Sequence, residues 1–179
     1  MSLPSPQAGK SRKGKTTAVD ICIMALSGVL LYVLQVALGF MPNIEPVSLL
    51  VILFTLVFKR RIIGILAVFI LLEGLTYGFG TWWFMYLYVW PILAFVTHLF
   101  RRMESSLGWA ILSAAFGLAF GFMCSWVYFV IGGIGGGIAY FLSGMMFDIV
   151  HCAGNFVLML LLYKKLRGLL ERLDSKIHT

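Results

Sequence analysis

Charge is what this chain has least of. Of its 179 residues only 12% are Asp, Glu, Lys or Arg, and just seven are acidic. Soluble domains carry about 25% charged residues. A soluble enzyme, a disordered tail and a nucleic-acid module are therefore excluded as readings of the whole chain. The last would also need a continuous basic face on a supporting fold. Cysteine is scarce as well. Cys22, Cys124 and Cys152 are odd in number, widely spaced and set in apolar stretches, so small apolar packing is expected rather than a disulfide framework. A secretory leader is not expected either. The apolar run after the basic N-terminus is longer than a signal-peptide core of about 7–15 residues and lacks a clear small-residue cleavage site.

Hydrocarbon is what the sequence has in plenty: 61% of residues are hydrophobic and the mean hydropathy is +0.98. Six apolar segments can be read, at roughly 17–40, 46–58, 62–76, 83–100, 108–131 and 138–163. A helix needs about 20 residues to cross a ~30 Å hydrocarbon core. The first, fifth and sixth segments meet that length and the fourth nearly does. The second and third are short, so they borrow flanking residues, cross where the bilayer is locally thinned, or form a re-entrant hairpin.

The basic residues set the orientation. All fourteen fall in four places: 10–15, 59–61, 101–102 and 164–176. The intervening loops, about 41–45, 77–82 and 132–137, contain no Lys or Arg. With six spans these two groups of loops lie on opposite sides, and the positive-inside rule puts both termini in the cytoplasm. The expected architecture is an all-α integral membrane protein. It comprises a basic tail over 1–16, a six-helix transmembrane bundle over 17–163 and a basic cytoplasmic tail over 164–179, in the cell membrane.

The three outer loops differ in kind. Pro42-Asn43-Ile44-Glu45-Pro46 is rigid, 78–83 is aromatic with glycine hinges, and 132–137 is almost pure glycine. The glycine run should be mobile, as a gate or as a plain connector. Pro46 suits a first helical turn, with Glu45 or Asn43 capping the second helix. Asp20 has the same role at the first.

Gly9-Lys10-Ser11-Arg12-Lys13-Gly14-Lys15-Thr16 spells a phosphate loop, but a polar tail precedes it and a membrane span follows it. Without a buried strand before it the backbone cannot cradle phosphate, so the string reads as a basic juxtamembrane tail. On the fifth helix, Ala115/Ala119 and Gly117/Gly121 are small-x-x-x-small pairs expected to pack within the bundle.

Candidate site residues are the polar groups that a membrane makes costly. Asp148, His151 and Asn155 share one face of the last helix at i, i+3 and i+7. Asp148 lies about 15 Å into that helix at 1.5 Å per residue. Glu73 lies in the outer half of the third helix. A carboxylate at the bilayer centre costs about 2.5–3.5 kcal/mol, so these groups should face the bundle interior, as ligand contacts or as interhelical hydrogen bonds. Aromatics crowd the outer half: Trp83, Tyr86 and Trp90 share a face of the fourth helix, with Tyr77 and Trp126 at similar depth. They line a cavity for a planar ligand or form an interfacial belt.

The segment Met41-Pro42-Asn43-Ile44-Glu45-Pro46-Val47-Ser48-Leu49-Leu50, the mobile glycine loop and the ending Phe147-Asp148-Ile149-Val150-His151-Cys152-Ala153-Gly154-Asn155-Phe156 resemble the substrate-binding S-components of energy-coupling factor (ECF) vitamin transporters. The likeness covers nearly the whole chain. It implies a six-helix bundle binding a vitamin or related micronutrient near the outer surface, through Asn43, Glu73, Tyr77, Trp83, Tyr86, Trp90, Trp126, Asp148, His151 and Asn155. It also implies a membrane coupling protein and two cytoplasmic ATPase subunits as partners. No cofactor, metal or catalytic step is expected in this chain itself. Many members carry Ala-x-x-x-Ala on helix one to dock the coupling protein. Here Ala25 is followed by Val29 and Ala18 by Cys22, leaving Ala25, Ser27 and Gly28 as a small-residue surface. Two other readings stand beside this one: an intramembrane enzyme using Glu73, Asp148 and His151, and a membrane assembly or regulatory protein with no small ligand.

Overall fold

The computed structural model describes residues 16–40 and 46–177. Every secondary-structure element among them is helical: α1 (Ala18–Ala37), α2 (Val47–Phe58), a single 3-10 turn (Lys59–Arg61), α3 (Ile62–Tyr77), α4 (Thr81–Leu99) and α5 (Ser106–Ile177). Three of these, α1, α4 and α5, are long and apolar enough to cross a membrane. The chain is a helical membrane protein on that evidence of length and composition.

Local chemistry explains the helix ends. Thr17 and Asp20 form a reciprocal capping box at the start of α1: the Asp20 carboxylate accepts from Thr17 N–H at 2.8 Å and Thr17 Oγ1 accepts from Asp20 N–H at 3.2 Å. The capping expected of Asp20 is thus present, whereas that expected of Asn43 and Glu45 lies outside the described residues. Lys59, at φ 52° and ψ −116°, turns the chain between α2 and α3. Gly78, at φ 87°, ends α3 in a conformation that only glycine adopts without strain.

The glycine run 132–137 is not a loop. Residues 134–137 are helical and only Gly133 leaves helical geometry, at φ 65° and ψ −167°. At this one residue α5 folds back on itself into two arms, 106–132 and 134–177. The contacts between the arms step inward in antiparallel register. Gly137 lies against the Phe129 ring, Tyr128 stacks on Tyr140 at 4.2 Å, Gly121 meets Asp148, Gly117 meets His151 and Trp109 stacks on Tyr163 at 6.2 Å. A Cβ on Gly117 would come within 2.9 Å of the His151 backbone. The glycine pair therefore serves packing within the bundle, as its spacing predicts. Ala115 and Ala119, by contrast, face outward.

The segment 164–177 also differs from a free tail. Leu162, Leu166 and Leu170 pack on the core and Arg167 pairs with Glu171 at 2.8 Å, so the second arm stays helical to Ile177.

Around the hairpin the other helices enclose α2, which is buried along all but one of its residues. Its 12 residues rise about 18 Å, short of a ~30 Å core. Because protein rather than lipid surrounds it, its ends need not meet the bilayer surface. On the periphery α1 buries one stripe, Ile23, Ser27, Gly28 and Leu31, against its neighbours. Gly28 sits so close to α3 that a Cβ would be 2.6 Å from Val68 Cβ. Ser27 and Gly28, expected to dock a partner, are therefore occupied inside the chain, and only Ala25 of the three is half-exposed. The outward face of α1 is Ile21, Leu26, Leu30 and Val33.

One guanidinium ties three parts of the chain at one end. Arg61 Nε donates to Asp20 at 2.6 Å and its Nη1 to Asp174 at 3.1 Å. The start of α1, the α2–α3 turn and the last turns of α5 consequently share that end. Arg101, Arg102 and Arg167 line a cavity there together with Lys59–Arg61.

Candidate functional site

Six of the buried polar residues come from four helical limbs. Ser48 is in the first turn of α2, the end that carries the helix dipole's partial positive charge. Ser113 lies on the first arm of α5 and Asp148, His151 and Asn155 on the second. All five are at least 96% buried, and so is Glu73 on α3. The helical spacing of 148, 151 and 155 puts these three side chains on the one face of the second arm that turns inward, as the sequence predicts.

Hydrogen bonds join this group across helices. Asn155 Nδ2 donates to Ser48 Oγ at 3.1 Å and to the Ser113 carbonyl at 3.0 Å. His151 Nε2 approaches Ser48 Oγ at 3.5 Å, a long contact. Asp148 Oδ1 accepts from the backbone N–H of Gly121 at 3.0 Å. A Cβ at Gly121 would overlap the carboxylate, so a side chain there would displace it.

The network leaves many valences unfilled. Among the described residues, Asp148 Oδ2, His151 Nδ1, Asn155 Oδ1, Ser113 Oγ, Glu73 Oε1 and Trp90 Nε1 are buried without a hydrogen-bond partner. Each such orphan costs about 1–3 kcal/mol.

An aromatic wall adjoins the polar group. Phe120 meets the His151 ring edge-on at 5.0 Å, and Phe116 does so at 6.4 Å. Trp90 contacts Phe116, Phe120, Tyr86 and Phe69, with centroids 5.6–5.9 Å apart. Tyr86 receives a hydrogen bond from Gln35 of α1 at 2.8 Å. Glu73 is one helical turn beyond Phe69 on the buried stripe of α3.

The predicted residues thus divide. Tyr86, Trp90, His151 and Asn155 belong to one connected interior group through Phe120 and Ser48, Asp148 is on the same inward face of its helix and bonds Gly121, and Glu73 is buried on α3. Trp83 and Tyr77 instead fasten the α3–α4 corner: Trp83 Nε1 donates to the Ile70 carbonyl at 2.9 Å and its ring meets Phe79, while Tyr77, 57% exposed, meets Trp82. Trp126 is 48% exposed and stacks on Tyr88 at 6.0 Å, away from the polar group. Asn43 lies outside the described residues. No three His, Cys, Asp or Glu side chains converge among the described residues, so Glu73, Asp148 and His151 do not form a joint metal-type cluster.

Sequence reasoning missed Ser48, Ser113, Gln35, Phe116 and Phe120. The first three carried a signal, each a polar residue within an otherwise largely apolar helix. The two phenylalanines carried none, because apolar residues are everywhere in this chain.

A separate cavity of about 1270 Å³ opens at the opposite, basic end, between α3, α4 and the 59–61 turn. It does not coincide with the polar interior group. Comparison with protein-family models, with curated proteins and with solved structures returns no match.

Proposed function

We propose that this chain is the substrate-binding membrane subunit of an ECF-type importer, taking up a vitamin or related micronutrient. The observation that carries the reading is the set of unfilled buried valences on Asp148, His151, Asn155, Ser113 and Trp90, side by side with the Phe116/Phe120/Trp90 wall. Flat apolar surfaces with a few convergent donors and acceptors are what a planar, hydrogen-bond-rich ligand requires. In this reading the six helical limbs are six spans, the basic end is cytoplasmic, and both termini lie there. Energy comes from outside the chain, through a membrane coupling protein and two ATPase subunits. The bundle binds and carries its ligand without a covalent step.

The test is a vitamin panel against the purified chain, read by thermal shift and followed by calorimetry. A saturable hit that weakens at least tenfold in Asp148→Asn and His151→Gln, with both variants folded, supports the proposal. A well-folded protein that binds nothing in the panel overturns it. Topology is read independently, by labelling single cysteines at positions 80 and 105 in intact cells with a membrane-impermeant thiol reagent. Only position 80 should react.

A second reading is favoured by the Asn155–Ser48, Asn155–Ser113 and Asp148–Gly121 bonds. In it the polar group only fastens helices together, in an assembly protein without a small ligand. It predicts that Glu73→Gln changes nothing but stability.

A further inference from the structure

We propose that the cavity at the basic end is a binding site for an anionic phospholipid of the cytoplasmic leaflet. At about 1270 Å³ it exceeds the roughly 300–1,000 Å³ of small-molecule pockets, and its lining is split by chemistry. The mouth carries Lys59, Arg60, Arg101 and Arg102, all exposed. None of these four has a carboxylate partner among the described residues, and Arg101 instead leans on His98 at 3.1 Å. The other two cations of the lining, Arg61 and Arg167, are already held, by Asp20 with Asp174 and by Glu171.

Below this ring the walls are hydrocarbon. Ile63 and Ala67 of α3 face Pro91 and Phe95 of α4, and all four are exposed. Ile63 is 73% and Phe95 62% exposed. A free phosphate would use the ring and leave the apolar trough empty, and a neutral lipid would do the reverse. A phosphatidylglycerol-type lipid uses both, its phosphate in the arginine ring and an acyl chain along the α3–α4 trough. Basic pockets between helices on the cytoplasmic side recognise lipid headgroups in this way.

The test titrates the full-length protein in neutral detergent with phosphatidylglycerol, with phosphatidylcholine of the same chains, and with glycerol phosphate, counting bound molecules by native mass spectrometry. One phosphatidylglycerol should bind saturably, at least fivefold tighter than phosphatidylcholine, and glycerol phosphate should not compete at equal concentration. R60Q with R102Q should weaken it roughly twenty-five-fold, at about fivefold for each charge removed. A67F keeps every charge and sits on an exposed position, so it should fold and still lose affinity by blocking the trough. Equal binding of the two lipids, or A67F binding like the parent, overturns the proposal. So does a groove that takes an acidic amphipathic peptide but not phosphatidylglycerol, which would assign it to a protein partner.

Discussion

The backbone N–H of Gly121 donates to the carboxylate of Asp148 at 3.0 Å, across the two arms of one folded-back helix. An ionisable side chain inside the bundle is thus held by a peptide group, and only a residue without Cβ lets it come so near. Gly121→Ala should destabilise the protein by about 1–3 kcal/mol through overpacking. For a chain of this size that is roughly 3–10 °C in melting temperature. Gly144→Ala, at a helical position with nothing within 4 Å of its absent side chain, should not lower it. Thermal unfolding in detergent separates the two.

Asp148→Asn retains an oxygen able to accept from Gly121, so its melting temperature should stay close to the parent's. Asp148→Leu removes that acceptor. It should cost about 1–3 kcal/mol for the lost hydrogen bond between the arms, unless relief of the buried charge offsets it. The sign of the Asp148→Leu shift, set against an unchanged Asp148→Asn, reports how much of the residue's role is structural.

Asn155 bonds two other limbs at once. Asn155→Ala should cost about 1–3 kcal/mol, because it removes two interhelical hydrogen bonds at once. Ser48→Ala should cost less. A double-mutant cycle between them should give a coupling on the order of 1 kcal/mol, and additivity would show the bond to be negligible.

Two tryptophans of similar expected depth should behave differently. Trp90 is fully buried among four aromatic rings, and Trp90→Ala should cost about 3–5 kcal/mol. Trp126 is 48% exposed, and Trp126→Ala should change stability by no more than about 0.5 kcal/mol. Paired melting curves check this, and Trp90 fluorescence should report any ligand entering the interior group.

Arg61→Gln cuts the ion pairs to Asp20 and Asp174. Its partners are partly exposed, so the loss should be small and should shrink in high salt. A melting-temperature difference that persists unchanged at high salt would mean that Arg61 acts through packing instead.

Much of the bundle was readable before any coordinates. Hydropathy located the first five helical limbs to within a few residues, because an apolar run bounded by charge has few alternatives, but it ended the sixth at 163 where the helix runs to Ile177. The inward face of Asp148, His151 and Asn155 followed from helical periodicity alone. The glycine run misled for a physical reason: glycine permits a loop but does not require one, and a single positive φ at Gly133 suffices to reverse the chain. The continuation of α5 past residue 163 was visible in the spacing of Leu162, Leu166 and Leu170, which the density of lysine and arginine obscured. Trp83 and Trp126 show the limit of aromatic counting. Equal depth in a membrane does not fix the face, and the face depends on which helix lies alongside.

The clamp at Arg61 also bears on chain connectivity. Asp20 and Asp174 both reach one guanidinium, so the first and last helical turns of the described chain are neighbours in space though 154 residues apart in sequence. The bundle is a nearly closed circuit. A short polar linker could join residues 177 and 18, and the chain could be reopened at the 101–105 turn, with every limb keeping its direction. Such a circular permutant should assemble the same interior from a new order of synthesis.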